Sequence, residues 1–155
     1  MSSRLPLPPY TYETAVQKVR SAENAWNTRD PHILSLAFSP ECRWFSRSGA
    51  LLGRKAIEEH LARKWAVELE YRVAMELWAF MDNQIAVRIA YECHDVDGVW
   101  SRYIGHSSWG FDPKGLIAER YSSFNIEAIS EEQRLFRWPL GVRPEGYPGL
   151  KELGL

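Results

Sequence analysis

The chain has 155 residues, of which 45% are hydrophobic and 13% aromatic, enough for one domain with a buried core. Its 19 Lys and Arg residues are scattered and balanced by 20 Asp and Glu residues, which argues against a nucleic-acid-binding surface. Two cysteines cannot form the disulfide framework of a small secreted domain, and the first residues lack the apolar stretch of a signal peptide. No apolar run approaches the ~18 residues that span a bilayer, so we expect a cytoplasmic protein with no membrane or nucleic-acid partner.

The first half of the chain has the apolar spacing and capping residues of helices, after a proline-rich arm at residues 1–10. Four elements are predicted there: a helix capped by Thr11 that ends near residues 27–29, a short helix from Asp30-Pro31 to about Phe38, a strand over residues 43–47 and a helix over residues 54–66. The helices therefore precede most of the predicted sheet.

From Glu70 onward the apolar residues alternate with polar ones, which is typical of strands. Turn-forming residues separate four strands near residues 70–81, 84–95, 100–111 and 116–127, and this spacing predicts an antiparallel meander. Residues 130–155 are rich in Pro and Gly and predict an extended tail, with Trp138 as its anchor, either across a dimer or over a pocket. The predicted fold class is α+β, in a single domain over residues 1–155.

The Asp97-Gly98 pair lies between two alternating runs and favours a two-residue type I′ hairpin turn, because both central residues of that turn need a positive φ. In this register Glu92 pairs with Tyr103, with Cβ atoms about 5 Å apart, close enough for a phenol to bond to a carboxylate. We interpret the two side chains as an acid–base pair.

The same register places three further polar residues in one row of the sheet. Arg88 and Arg120 flank Ser107, and two guanidinium groups with no acid between them favour an anionic or carbonyl-bearing ligand. A salt-bridged, exposed sheet face is the alternative interpretation of the same residues.

The histidines and cysteines have ordinary structural interpretations. His94 lies beside a turn and is typical of a solvated hairpin, His60 of a core or cavity rim, and His106 of an interface. Cys42 and Cys93 are expected to serve as small apolar residues, since no histidine or helix N-terminus activates either. The histidine spacing matches no metal site, so no metal and no cofactor are expected.

Three helices followed by a curved meander, with the blocks at residues 25–30 and 53–57, resemble the SnoaL-like, nuclear-transport-factor-2-like cone fold. Blocks that look like one subfamily of it lie at residues 64–66, 76–80, 85–88, 90–92, 138–141, 148–150 and 152–155. The resemblance implies a conical pocket between the helices and the concave sheet face, and homodimerisation through the outer face. It also implies cofactor-free chemistry in enzyme members, which are isomerases, cyclases, dehydratases and epoxide hydrolases.

The resemblance also shows where this chain departs from the family pattern. Ketosteroid-isomerase-like members carry an acid at the position of Ser107, and the subfamily has a Glu there between Arg88 and Arg120. Isomerases of this fold hold their base at the position of Ser46. Neither role can be transferred to a serine.

We therefore hypothesise a cofactor-free enzyme of the isomerase, dehydratase or ring-opening type that acts on a small anionic or carbonyl-bearing metabolite. Glu92 would be the base and Tyr103 the proton donor, and Arg88 and Arg120 would stabilise negative charge. Seven residues would contact the substrate: Trp44, Ser46, Trp65, His94, Ser107, Trp109 and Phe124. A non-catalytic ligand-binding or protein-interaction module, and a structural dimer with a vestigial pocket, are the alternatives.

Overall fold

Helices and one mixed sheet make up the fold, which a computed structural model describes for residues 3–155. Met1 and Ser2 of the predicted arm lie outside the described residues. The helices are α1 (Tyr12–Asn27), α2 (Pro31–Ser35) and α3 (Arg54–Val67). The strands are β1 (Phe38–Ser46), β2 (Gly49–Leu52), β3 (Leu69–Met81), β4 (Gln84–His94), β5 (Trp100–Phe111) and β6 (Ile117–Ile129), in the spatial order β2-β1-β6-β5-β4-β3. A single 3₁₀ turn, Glu131–Gln133, follows β6.

The first helix begins where the sequence predicts it and also protects the edge of the sheet. Thr11 forms a capping box with Thr14 at its N-terminus. Further along, the Glu23 carboxylate accepts from the amide of Met75 at 2.9 Å, and the Asn27 side chain bonds to both main-chain polar groups of Val73 at 2.9 Å. Because β3 is an edge strand, these bonds satisfy groups that would otherwise be open to pairing with another chain.

The predicted two-residue turn between β4 and β5 is wrong. Gly98 donates to the Asp95 carbonyl at 3.0 Å, and Asp95 donates to the Val99 carbonyl at 3.1 Å, so the loop has three residues. Gly98 has a φ of 80°, the left-handed conformation that closes this kind of loop. The Asp95 carboxylate favours it by accepting from the amides of Asp97 and Val99, at 2.9 and 3.0 Å.

The extra loop residue shifts the β4–β5 register by one, which moves half of the predicted row to the opposite face. Glu92 pairs with Arg102, and Tyr103 pairs with Tyr91. The predicted Glu92–Tyr103 pair therefore does not form. Arg88 pairs with His106 rather than with Ser107.

The loop between β5 and β6 has the same construction, which makes a second register prediction wrong. Asp112 donates to the Leu116 carbonyl at 2.8 Å, and Gly115 donates to the Asp112 carbonyl at 3.0 Å. The register of β5 with β6 shifts again between Gly110 and Phe111. As a result, Ser107 pairs with Ser122 and not with Arg120.

The two sheet faces have different coverings. The concave face meets α1 and α3 and contributes to the main hydrophobic core, which includes Trp26, Ile57, Leu61, Val73 and Val87. On the outer face the C-terminal tail packs against the sheet, and a second cluster forms from Ala74, Ala90, Phe136, Trp138 and Leu150. The tail thus covers the outer face of its own sheet, and neither destination predicted for it is found.

Candidate functional site

A cavity of about 520 Å³ lies between the concave sheet face and the helices, a size typical of small-molecule sites. Its lining comes from α1, α3 and five strands of the sheet. The lining residues with polar or aromatic side chains that bear on function are Trp26, Trp44, His60, Lys64, Glu68, Tyr71, Tyr91, Arg120, Ser122 and Phe124. The β1–β2 turn over residues 46–50 forms part of the same lining.

Arg120 is the most unusual residue of this cavity because it is a buried cation. Only 8% of the residue is exposed, and its guanidinium carbon lies 4.4 Å from the ring centre of Trp44 and 5.3 Å from that of Trp26. Nη1 donates to the Ser122 hydroxyl at 3.1 Å. Burial lowers the pKa of Arg120 to about 10, which leaves it charged at neutral pH. Within residues 3–155 no carboxylate forms an ion pair with it, so its remaining N–H groups can bind an anionic ligand.

Lys64 and Glu68 form the second polar group of the cavity, at the C-terminal end of α3. Lys64 Nζ lies 2.8 Å from the Glu68 carboxylate and 3.2 Å from the Tyr91 hydroxyl. The same nitrogen lies over the rings of Tyr91 and Tyr71, at 4.3 and 5.1 Å from their centres. An ammonium in contact with both a carboxylate and a phenol can exchange protons with them and with a ligand.

Burial shifts the pKa values of the ionisable side chains around Lys64 so that their neutral forms are favoured. It lowers the pKa of Lys64, against the opposing effect of Glu68, and it raises the pKa of Tyr71 and Tyr91 well above the usual range. Burial also lowers the pKa of His60, with the charges of Lys64 and other nearby cations adding to the effect. At neutral pH His60 is therefore mainly an uncharged ring at the cavity wall.

Some of the predicted site residues do lie at the cavity. Arg120, Trp44, Ser46 and Phe124 line it. Tyr103 lies on the same side of the sheet, with its ring stacked 4.2 Å from the ring of Tyr91.

Trp65 lies in the aromatic wall behind these residues. Its ring makes edge contacts with Trp26 at 5.9 Å and Tyr71 at 5.7 Å. It supports two residues that line the cavity.

The structure places Glu92 on the outer face, away from the cavity. The residue is 1% exposed, and its carboxylate binds Arg102 at 2.9 Å and accepts from the amides of Leu135 and Phe136 at 3.1 and 2.9 Å. These contacts hold the tail against the sheet.

Arg88 and His94 also lie on the outer side. Arg88 donates to the main-chain oxygen of Leu155 and lies 3.6 Å from the Glu76 carboxylate. His94 binds the Glu70 carboxylate at 3.0 Å.

Ser107 and Trp109 are on the concave side but belong to the core. Trp109 Nε1 donates to the Ser107 hydroxyl at 3.0 Å, and that hydroxyl donates to the Tyr121 carbonyl at 3.0 Å. With both contacts internal, Ser107 satisfies its neighbours and does not present its hydroxyl to a ligand.

Comparisons with known proteins decide the family. A model of the family described as "Protein of unknown function (DUF1348)" matches residues 8–137. The chain belongs to this family. The match ends before Trp138, so it covers only the first residues of the tail. No curated protein sequence matches the chain.

Solved structures establish the fold of this DUF1348 member. The epoxide hydrolase/cyclase-like enzyme SalBIII is 16% identical over 76% of this chain and 97% of its own, with a TM-score of 0.67. The pinacolase BvnE from Penicillium brevicompactum is 13% identical over 73% and 86%, with a TM-score of 0.64. A SnoaL-like polyketide cyclase, so described, from Shewanella denitrificans OS-217 is 14% identical over 72% and 90%, with a TM-score of 0.62. The predicted SnoaL-like, nuclear-transport-factor-2-like α+β cone is thereby confirmed.

Sequence reasoning about the DUF1348 chain missed Lys64, Glu68, Tyr71 and Tyr91. The i,i+4 spacing of Lys64 and Glu68 at a helix end was the available signal, since that spacing puts both side chains on one helix face. The predicted pairing of Glu92 with Tyr103 puts the neighbouring Tyr91 on the opposite sheet face, whereas the structure pairs Tyr91 with Tyr103.

Two further structural findings concern metal binding and membrane-spanning helices. Across residues 3–155 no three His, Cys, Asp or Glu side chains are grouped so as to hold a metal ion. The same residues include no helix with the length and apolar character needed to cross a membrane.

Proposed function

We propose that this protein is an enzyme that acts on a small organic anion with a carbonyl group, by acid–base catalysis of the isomerisation, dehydration or ring-opening type. One observation carries the proposal: a buried arginine that forms no ion pair with a carboxylate of residues 3–155 shares a cavity with a lysine that contacts a glutamate and a tyrosine. Perturbed ionisable groups concentrated in one cavity are typical of catalytic sites.

Each polar residue of the cavity has a distinct role in the proposal. Arg120, oriented by Trp44, binds the carboxylate or the developing oxyanion of the substrate. Glu68 accepts a proton from the carbon next to the carbonyl group, and Tyr91 or Lys64 returns a proton elsewhere on the substrate. Arg120 keeps its predicted role, and the role of base passes from Glu92 to Glu68.

The solved structures with a similar fold support a function in small-molecule chemistry. SalBIII is described with a role in pyran ring formation, and BvnE as a pinacolase.

A non-catalytic ligand-binding module is the second candidate function. The serines at positions 46 and 107, where enzymes of this fold carry acids, favour it. In that case Arg120 would hold a ligand that is released unchanged.

Hydrogen–deuterium exchange distinguishes the two functions. Pyruvate, acetoacetate and levulinate would be incubated with the protein in D₂O, and loss of the protons next to the carbonyl group would be followed by NMR. We expect Glu68→Gln to slow the exchange by about 10²- to 10⁴-fold and Arg120→Leu by about 10²- to 10³-fold. Glu59→Gln, on an exposed position of the same helix, is the matched control.

The outcomes separate clearly. Saturable binding, followed by the quenching of tryptophan fluorescence, with no exchange for any of the three oxo acids would favour the binding module. Exchange that Glu68→Gln leaves at the wild-type rate would contradict the role of Glu68.

The homodimer predicted through the outer face remains a proposal, and the tail limits where it could form. Uncovered apolar side chains remain towards the β3–β4 hairpin, where Trp78 is 66%, Met81 70% and Tyr121 52% exposed. We propose that a second copy would pack there. Light scattering would test this proposal by measuring the molar mass in solution. The wild-type protein should be a dimer, and Trp78→Ser should dissociate it into monomers. A cytoplasmic location likewise stays a prediction.

A further inference from the structure

We infer that Lys64 is a nucleophile that forms a Schiff base with the carbonyl carbon of an oxo acid held at Arg120. The inference rests on the proposed function and deepens it, because it names the covalent chemistry and the substrate class of the same cavity.

Contacts of Lys64 place its amine at the cavity rather than in solvent. Its side chain is 10% exposed, and its nitrogen lies among the Glu68 carboxylate, the Tyr91 hydroxyl and the rings of Tyr71 and Tyr91. A surface lysine that only carries charge would keep its nitrogen hydrated.

Burial favours the neutral amine of Lys64, against the opposing effect of the Glu68 carboxylate. Arg120 and Lys64 are both buried in the same cavity, and Glu68 is the carboxylate that contacts Lys64. Arg120 remains charged, and its repulsion of the Lys64 ammonium adds a smaller contribution in the same direction as burial. A desolvated lysine next to another cation is one of the known arrangements that activates an amine.

The proposed step balances in atoms, protons and charge. Glu68 takes one proton from the Lys64 ammonium, and the free amine attacks the carbonyl carbon, forming the C–N bond as the C=O π electrons move to oxygen. A proton passes from nitrogen to that oxygen, with the Tyr91 hydroxyl within reach as a relay, and gives a neutral carbinolamine. Protonated Glu68 then donates to the hydroxyl, which leaves as water, while the nitrogen lone pair forms the C=N bond of a protonated imine.

Arg120 supplies the other half of the recognition. A carboxylate bound by its guanidinium, in place of the missing protein carboxylate, would restore charge balance in the cavity. The two requirements together, a carboxylate for Arg120 and a carbonyl for Lys64, define an oxo acid.

Reductive trapping tests the inference on the wild-type protein. The full chain would be incubated with pyruvate, acetoacetate or levulinate, which place the carbonyl at increasing distance from the carboxylate, and treated with cyanoborohydride. Peptide mass mapping would then locate the reduced adduct. We expect at least one acid to label Lys64 about tenfold or more above Lys55, an exposed lysine on the same helix, since each pKa unit changes the free amine about tenfold.

Two variants provide the controls. Lys64→Arg keeps the cation beside Glu68 but removes the nucleophile, so the adduct should disappear while fluorescence-detected binding of the acid persists. Lys55→Arg should leave labelling of Lys64 unchanged.

Binding without an adduct, or equal labelling of Lys64 and Lys55, would overturn the Schiff base and leave the proposed function standing. Absence of both binding and adduct for all three acids would overturn the inference together with the proposed function.

Discussion

Glu92→Gln is expected to weaken the attachment of the tail without affecting the cavity. Glu92 is the acid that the alternation of its strand offers as a catalytic base, and the structure instead buries it under the tail. The substitution keeps the shape of the side chain but removes its charge. It therefore separates the two interpretations of this residue.

The contacts of Glu92 give the size of the effect. Its carboxylate forms an ion pair with Arg102 at 2.9 Å and accepts the amides of Leu135 and Phe136. A glutamine leaves Arg102 buried with a weaker partner and turns an N–H group towards an amide that needs an acceptor. Breaking a buried pair on one side costs about 3–5 kcal/mol, which for a chain of this length lowers Tm by roughly 6–20 °C.

Urea denaturation and proteolysis measure both consequences. We expect a lower free energy of unfolding and faster cleavage within residues 131–155, with oxo-acid binding unchanged. Glu127→Gln is the matched control, because Glu127 binds the same arginine at 3.0 Å but its side chain is 55% exposed, so the loss should stay below about 1 kcal/mol. Wild-type stability together with abolished catalysis in Glu92→Gln would refute the reasoning.

Three further substitutions or treatments test other parts of the structure. Arg120→Lys keeps a positive charge but loses the stacked, forked guanidinium, so oxo-acid binding should weaken about tenfold in a fluorescence titration; equal affinity would contradict the role of the stacking. Gly105→Ala should cost about 1–3 kcal/mol or more in urea denaturation, because its methyl would overlap the main-chain oxygen of Ser123 and lie 2.9 Å from the Cα of Phe124, whereas Gly110→Ala meets its first atom at 3.9 Å and should cost less. Burial raises the pKa of Cys42 and Cys93 to about 12, so at pH 8 only about one thiol in 10⁴ is ionised, and alkylation should be slow until the protein unfolds; rapid native labelling would contradict it.

The helices and the four-strand meander could be predicted from local patterns, whereas β2 and the parallel pairing of β1 with β6 were not. Thr11 and Asp30 cap helices because a short polar side chain before an apolar run can satisfy the first free amides. These signals depend on a few neighbouring residues, so tertiary structure does not override them. The family resemblance then supplied the cone.

The site could not be predicted as well, because its composition depends on loop length to within one residue. Asp97-Gly98 matches a two-residue turn, but the Asp95 carboxylate stabilises a loop with one more residue. A shift of one residue exchanges the two faces of β4 relative to β5. The predicted register therefore pairs Tyr103 with Glu92, whereas the structure pairs it with Tyr91. Arg120 lies on the predicted face despite this. Its predicted partner Ser107 and its observed partner Trp109 are two residues apart on β5, so both side chains are on the same face.

The tail that covers the outer face also sets an order of events during synthesis. Residues 131–155 are translated after every strand that they cover, and at 5–20 residues per second this takes about one to five seconds. Until the tail docks, the strands that have folded expose the apolar side chains of Ala74, Ala90 and Ile104. A chain in this state is prone to associate with another copy through this face before its own tail closes it.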